Sequence, residues 1–225
     1  MTDLRRTPFL FNSATKPVTD PQLVYSVFSE ELAKLEGPEL VPFIRCYVQE
    51  RTPAAFAQSP LLWEAIRIWI SKRIGVDARE IGLSGSAQAG FSLRPDTRGA
   101  PFNRNKSDLD LFIVNQELFH SIEREARQFT ANSTMQKSYP DQVRTVESTL
   151  NKRYIDLIQI PAIHERYPTI ANGLNEASIV VDRLKCHGFE LRPSHFRIYE
   201  GWASLAAWVE RSYSEYWKEN KTRKQ

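Results

Sequence analysis

The stretch Asp108-Leu109-Asp110-Leu111-Phe112-Ile113-Val114 constrains this chain more than any other. Side chains alternate across a strand, so Asp108 and Asp110 share one face while Leu109, Leu111 and Ile113 share the other. Such a strand is half buried: the apolar face belongs to a core, and the acidic face needs water, cations or basic groups. Two carboxylates this close repel, and each makes the other easier to protonate. A hard divalent cation removes the conflict, since magnesium binds carboxylates together with water and substrate phosphates. A strand over 108–114 carrying a cation site is therefore expected.

Helical patterns flank this strand on both sides. Residues 1–20 read as a flexible lead-in. Asp20-Pro21 starts a helix as N-cap and first helical residue, and Gly37 ends it. A second helix is expected over 39–49, with Pro42 in its first turn. A third starts at Ser59-Pro60 and carries the stripe Leu62, Ile66, Trp69, Ile70, Ile74 before Gly75. Residues 80–84 suit a strand, 116–129 a helix, and 153–160 (RYIDLIQI) a second clear strand stopped by Pro161. The segment 171–185 fits either a strand or a helix end, and from Tyr199 onward the spacing is again helical. Helices, then strands mixed with helices, then helices make the class α+β. The expected organisation is a lead-in, a core with N-terminal helices over 21–165, and a C-terminal helical region over 166–225.

A net charge of +3 permits a polyanionic ligand without demanding one. Cys46 and Cys186 have no CxxC spacing, which argues against zinc or a redox pair and points to two buried thiols. The first twenty residues lack the apolar run of a signal peptide, and no stretch is long and apolar enough to span a bilayer. A cytoplasmic protein with no membrane insertion is expected.

Asp156 lies among apolar residues in the second clear strand, in the same style as the acidic pair. If the two strands pair side by side, three carboxylates converge and can hold two metal ions for an in-line displacement at phosphorus. Gly85-Ser86, directly after a strand, lets backbone N–H groups and a hydroxyl approach phosphate oxygens, and Gly90 allows a second close approach. Arg94, Arg98, Arg104 and Lys106 add positive charge nearby, with Lys106 beside the acids the strongest functional candidate and Arg98 read as a solvated loop residue.

Gly85-Ser86 at a strand end, Ser107-Asp108 followed by Asp110, then a lone strand aspartate at Asp156, resembles the DNA polymerase beta-like nucleotidyltransferase superfamily. The resemblance spans about a third of the chain and implies a small mixed nucleotidyltransferase-like sheet flanked by N-terminal and C-terminal helices. It implies that Asp108 and Asp110 bind two Mg2+ (or Mn2+) ions and that Asp156 binds the ion activating the acceptor hydroxyl. Gly85 and Ser86 would hold the triphosphate, and Lys185 stands where the family often places a triphosphate lysine. Ser86 and Asp108 are 22 positions apart, longer than in minimal members, and Gln88 stands where small members carry arginine. The length and flanking helices resemble bacterial antiphage-defence nucleotidyltransferases, some of which make cyclic oligonucleotides and others short DNA oligomers.

The expected activity is template-independent transfer of a nucleoside monophosphate from an NTP or dNTP to a hydroxyl, with release of pyrophosphate. The product would be an oligonucleotide, cyclic or linear, and an effector or toxin protein encoded nearby the partner. The alternatives are an inert nucleotide-binding or antitoxin-type module, an enzyme that AMPylates a partner protein, and a metal-dependent phosphodiesterase or nuclease. Tyr213 and Tyr216 are weighed as self-priming hydroxyls on a mobile end against core residues of an amphipathic helix. His195, Arg197 and Tyr199, just before the last helix, are weighed as base-stacking or phosphate contacts.

Overall fold

The computed structural model describes residues 25–35, 37–46, 50–161 and 166–223; the expected lead-in and the helix start at Asp20-Pro21 lie outside them. Its strands are β1 (Ile81–Ser84), β2 (Asp108–Val114), β3 (Tyr154–Asp156) and β4 (Arg192–Tyr199), in spatial order β1-β2-β4-β3. β1 is antiparallel to β2, β2 parallel to β4, and β3 antiparallel to β4. Around this mixed sheet lie helices α1 (Tyr25–Lys34), α2 (Gly37–Ile44), α3 (Pro60–Ile74), α4 (Gly85–Ala89), α5 (Gln116–Ala131), α6 (Ser133–Ser138), α7 (Pro140–Asn151), α8 (Pro168–Leu184) and α9 (Trp202–Arg223). The class is α+β. Among the described residues no helix is long and apolar enough to cross a membrane.

Alternation along the strands divides the interior in two. Leu109, Leu111 and Ile113 of β2, with Phe196 and Ile198 of β4 and Ile155 of β3, join a core built from α3, α5, α7 and α8. Phe112, Val114 and Tyr199 face the other way, into a second core with Phe28 and Leu32 of α1, Phe43 of α2, and Leu205 and Val209 of α9. Burial of each large apolar side chain contributes about 1.5–3 kcal/mol, so both faces of the sheet are held. Asp108 and Asp110 lie on the α9 side, at the end of the strand that this second core leaves open.

Several elements differ from expectation. β4 comes from the expected C-terminal helical region, beyond the one segment there that is ambiguous between strand and helix, yet it sits between β2 and β3. Its Pro193 cannot donate to a ladder; it stands opposite Leu109, and the register with β2 shifts between Leu109 and Asp110. The strand expected over 153–160 is confined to Tyr154–Asp156 and gives way to a 3-10 turn at Leu157–Gln159. The ambiguous segment 171–185 is helical: Pro168 occupies the first turn of α8, and the Glu125 carboxylate of α5 accepts from the N–H groups of Thr169 (2.9 Å) and Ile170 (3.0 Å), which have no partner within the helix. Pro42 lies inside α2 rather than in its first turn. Cys46 and Cys186 are exposed, not buried.

Candidate functional site

The site begins where β1 ends. Ser84 pairs with Asp110, and the chain turns at Gly85 with a φ of 63° into the short helix α4. Only glycine adopts this conformation without cost. Glycine also leaves space here, because a Cβ would overlap Oδ2 of Asp110 and stand 3.4 Å from its Cγ. The Gly-Ser turn and the second aspartate are thus fitted to each other.

Asp110 is half-buried, and its Oδ1 is completely buried with no hydrogen-bond partner. Burial pushes its carboxyl above the usual aspartate range; the charges of Arg197 and His195 oppose this, and Asp108 adds to it. Asp108 is more open. Its Oδ2 lies 3.8 Å from Arg94 of the preceding loop, and its Oδ1 lies 3.8 Å from Arg192 at the start of β4.

Asp156 is placed differently from the side-by-side expectation, because β4 intervenes between β2 and β3. It is buried, and its Oδ1 accepts from the Phe196 N–H at 3.3 Å. Its Oδ2 is hydrogen-bonded by Nδ1 of His195 and lies 3.6 Å from Nε of Arg197. Arg197 in turn stacks on Trp208 of α9 at 4.8 Å and donates from Nη1 to the Ser84 hydroxyl at 3.3 Å. Its guanidinium therefore extends from the Asp156 side of the sheet to the end of β1, a fixed positive charge among the acids.

Among the described residues, the three carboxylates do not form one metal-ligand cluster. Asp108 and Asp110 stand together, while Asp156 is turned to His195 and Arg197. The acidic pair fits a hard cation on its donor chemistry: Asp110 offers a buried oxygen that lacks any partner, a costly state unless something binds it.

The pair opens into a cleft of about 670 Å3, within the range of small-molecule sites. Gly85, Ser86 and Lys106 line it with both aspartates, and Arg94, Arg192 and Arg197 supply further charge. Leu205, Trp208 and Val209 of α9 form an apolar wall. Lys185 is not brought to this cleft; it is exposed, pairs with Asp182 at 2.8 Å and borders a separate depression with Asn105 and Glu190. Gln88 is buried, its amide donating to the Arg51 carbonyl at 3.0 Å. Arg98 is no solvated loop residue: it pairs with Glu219 at 2.8 Å and lies over Tyr216 at 5.0 Å, tying the loop to α9. Arg104 stacks on Phe189 at 4.7 Å.

Tyr213 and Tyr216 are core residues. Both are buried, burial pushes the Tyr213 phenol far above its ordinary range, and the Tyr216 hydroxyl donates to that of Tyr25 at 2.8 Å. A priming hydroxyl on a mobile end is therefore not what this helix presents.

Nothing local in the sequence marks Arg192 or Trp208 for this site, and Arg197 reads from it only as a base or phosphate contact just before the last helix. The alternation in His195-Phe196-Arg197-Ile198-Tyr199 repeats that of Asp108–Phe112 and is the signal that reveals β4. Comparison with known proteins gives no match: no family model, no curated protein and no solved structure.

Proposed function

We propose that the protein is a metal-dependent nucleotidyltransferase that moves a nucleoside monophosphate from a nucleoside triphosphate to a hydroxyl and releases pyrophosphate. The observation that carries this reading is the acidic pair at the Gly85-Ser86 turn: Asp110 abuts Gly85 through Oδ2, keeps a buried, partnerless Oδ1, and with Asp108 lines a cleft rimmed by cations. Asp108 and Asp110 are the residues to hold magnesium or manganese, which when bound supplies charge stabilisation at the reacting phosphorus. Ser86 offers a hydroxyl to the phosphates, and Lys106, Arg94 and Arg192 offset their charge. The apolar wall of Leu205, Trp208 and Val209 excludes water from one side. The acceptor oxygen forms a bond to the α-phosphorus, the bond to the pyrophosphate oxygen breaks, and the hydroxyl proton passes to the Asp156–His195 pair.

A second reading, a nucleotide-binding module without turnover, is favoured by one observation: Asp156 is engaged by His195 and Arg197 rather than free for a cation. Incubation with each labelled NTP and dNTP, with magnesium or manganese, separates the two. Pyrophosphate release and a nucleotide-extended product support transfer. Binding without release supports the module, and neither binding nor release refutes both.

A further inference from the structure

A second groove, of about 600 Å3, lies over β3 and the first half of α9. Trp208 borders both this groove and the cleft, so the two are neighbours across one ring. Behind that ring Arg197 stacks on Trp208 and pairs with Asp156, which puts the third acid at the partition between them. Two half-buried aromatic side chains, Tyr154 and Trp208, line the groove above the fully buried Tyr199. Tyr154, two residues before Asp156 on the same strand face, stacks on Tyr199 at 5.3 Å, and Tyr199 meets Trp208 edge-on at 6.3 Å. Its rim is basic: Lys152 and Arg211 are exposed on it, whereas Arg153 is held by Glu200. Ala203 and Ala207 keep the α9 side open.

Half-buried aromatic faces beside unneutralised cations are what a single-stranded nucleic acid needs, since bases stack without regard to sequence and phosphates seek positive charge. We infer that this groove takes the acceptor, and that the acceptor is a nucleotide or short single-stranded oligonucleotide, with its base on Trp208 and Tyr154 and its phosphates on Lys152 and Arg211. The assignment rests on the nucleotidyl-transfer reading. It adds that the hydroxyl attacked onto the donor belongs to a nucleic acid, not to a protein side chain, and enters past Asp156 while the triphosphate lies beyond Trp208.

The test uses fluorescein-labelled hexathymidylate and hexauridylate, followed by anisotropy at 50 and 200 mM salt without triphosphate. Two variants change exposed groove residues outside the donor cleft: Lys152→Ala/Arg211→Ala and Ala207→Glu. The wild type is expected to bind at least one of the two oligomers, and both variants to bind it at least about tenfold more weakly. Loss of two phosphate contacts is expected to make the log–log salt slope shallower by about 1.4 in the double variant. The thermal shift produced by triphosphate with magnesium is expected to be unchanged in both, and the bound oligomer to be extended by the wild type. Equal binding by wild type and variants, or no binding by the wild type, overturns the inference. So does a label that ends on the protein, or a bound oligomer that is never extended although the donor binds. Absence of any donor shift in the wild type instead sinks the underlying reading, a separate result.

Discussion

The fit between Gly85 and Asp110 makes a quantitative prediction. Placing alanine at position 85 has two costs. The first belongs to the backbone, because an L-residue at a φ of 63° is disfavoured by about 1–2 kcal/mol. The second belongs to the contact, because the new Cβ overlaps Oδ2 of a carboxylate whose other oxygen, Oδ1, is buried, an overpacking cost of about 1–3 kcal/mol. Gly85→Ala alone is thus expected to lose about 2–5 kcal/mol. In an Asp110→Ala background the overlap is gone, and the same change should cost only the backbone term of about 1–2 kcal/mol. Urea unfolding of the four proteins of this cycle, compared at constant m-value, measures the difference. The coupling is expected to be about 1–3 kcal/mol, with the double variant more stable than the two single losses imply. Additivity to within about 0.5 kcal/mol would refute the claim that turn and carboxylate are mutually fitted, and with it the structural basis for placing phosphate beside the acids.

Other outcomes follow from the same geometry. Asp108→Asn and Asp110→Asn should each abolish transfer while leaving the fold intact, with Asp110→Asn unchanged or slightly more stable without metal, because it removes a buried charge; wild-type turnover in either variant contradicts the assignment. Triphosphate with magnesium at about a hundred times its dissociation constant should stabilise the fold by about 2.7 kcal/mol, a shift of several degrees that Ser86→Ala should shrink; an unaltered shift in that variant removes Ser86 from the phosphate site. The hydrogen bonds from Arg153 hold the Glu200 carboxyl below the usual glutamate range. With the folded value depressed, this stabilisation is present above the unfolded glutamate value of about 4.3 and disappears as the pH falls through the folded one. Arg153→Ala should therefore flatten the acid limb of a stability–pH curve, and an unchanged limb would show that the pair contributes nothing.

What could be read in advance depended on local contrast. The alternation of acid and leucine in β2, and glycine-serine after an apolar run, are local signals, and both elements form where expected. β4 carries the same alternation, but Pro193 and the charges of Arg192 and Arg197 disguise it as a loop leading into α9. The position of Asp156 on a strand was legible; its partners were not, because they depend on which distant strand lies between β2 and β3. Likewise Ser178-Ile179-Val180-Val181 has the β-branched content of a strand, and the helix there is completed by Glu125, a residue from α5. Arg98 shows the same limit in reverse: a charged loop residue reads as solvated until α9 supplies Glu219 and Tyr216.

The place of β4 within the sheet also orders events in time. A ribosome delivers β1, β2 and β3 long before residues 192–199, so during synthesis β2 and β3 have no strand to join them. The face that α9 will cover is open for the same interval. Pairings between remote segments form slowly, since the loop must close before the contacts repay it, and unpaired edges beside apolar faces invite association with other chains. Nascent chains that have not yet reached the end of β4 are therefore the vulnerable species. Among the described residues, Arg197 alone is both hydrogen-bonded to the end of β1 and paired with Asp156; it arrives on that same late strand, so Asp156 gains this counter-charge in the step that closes the sheet.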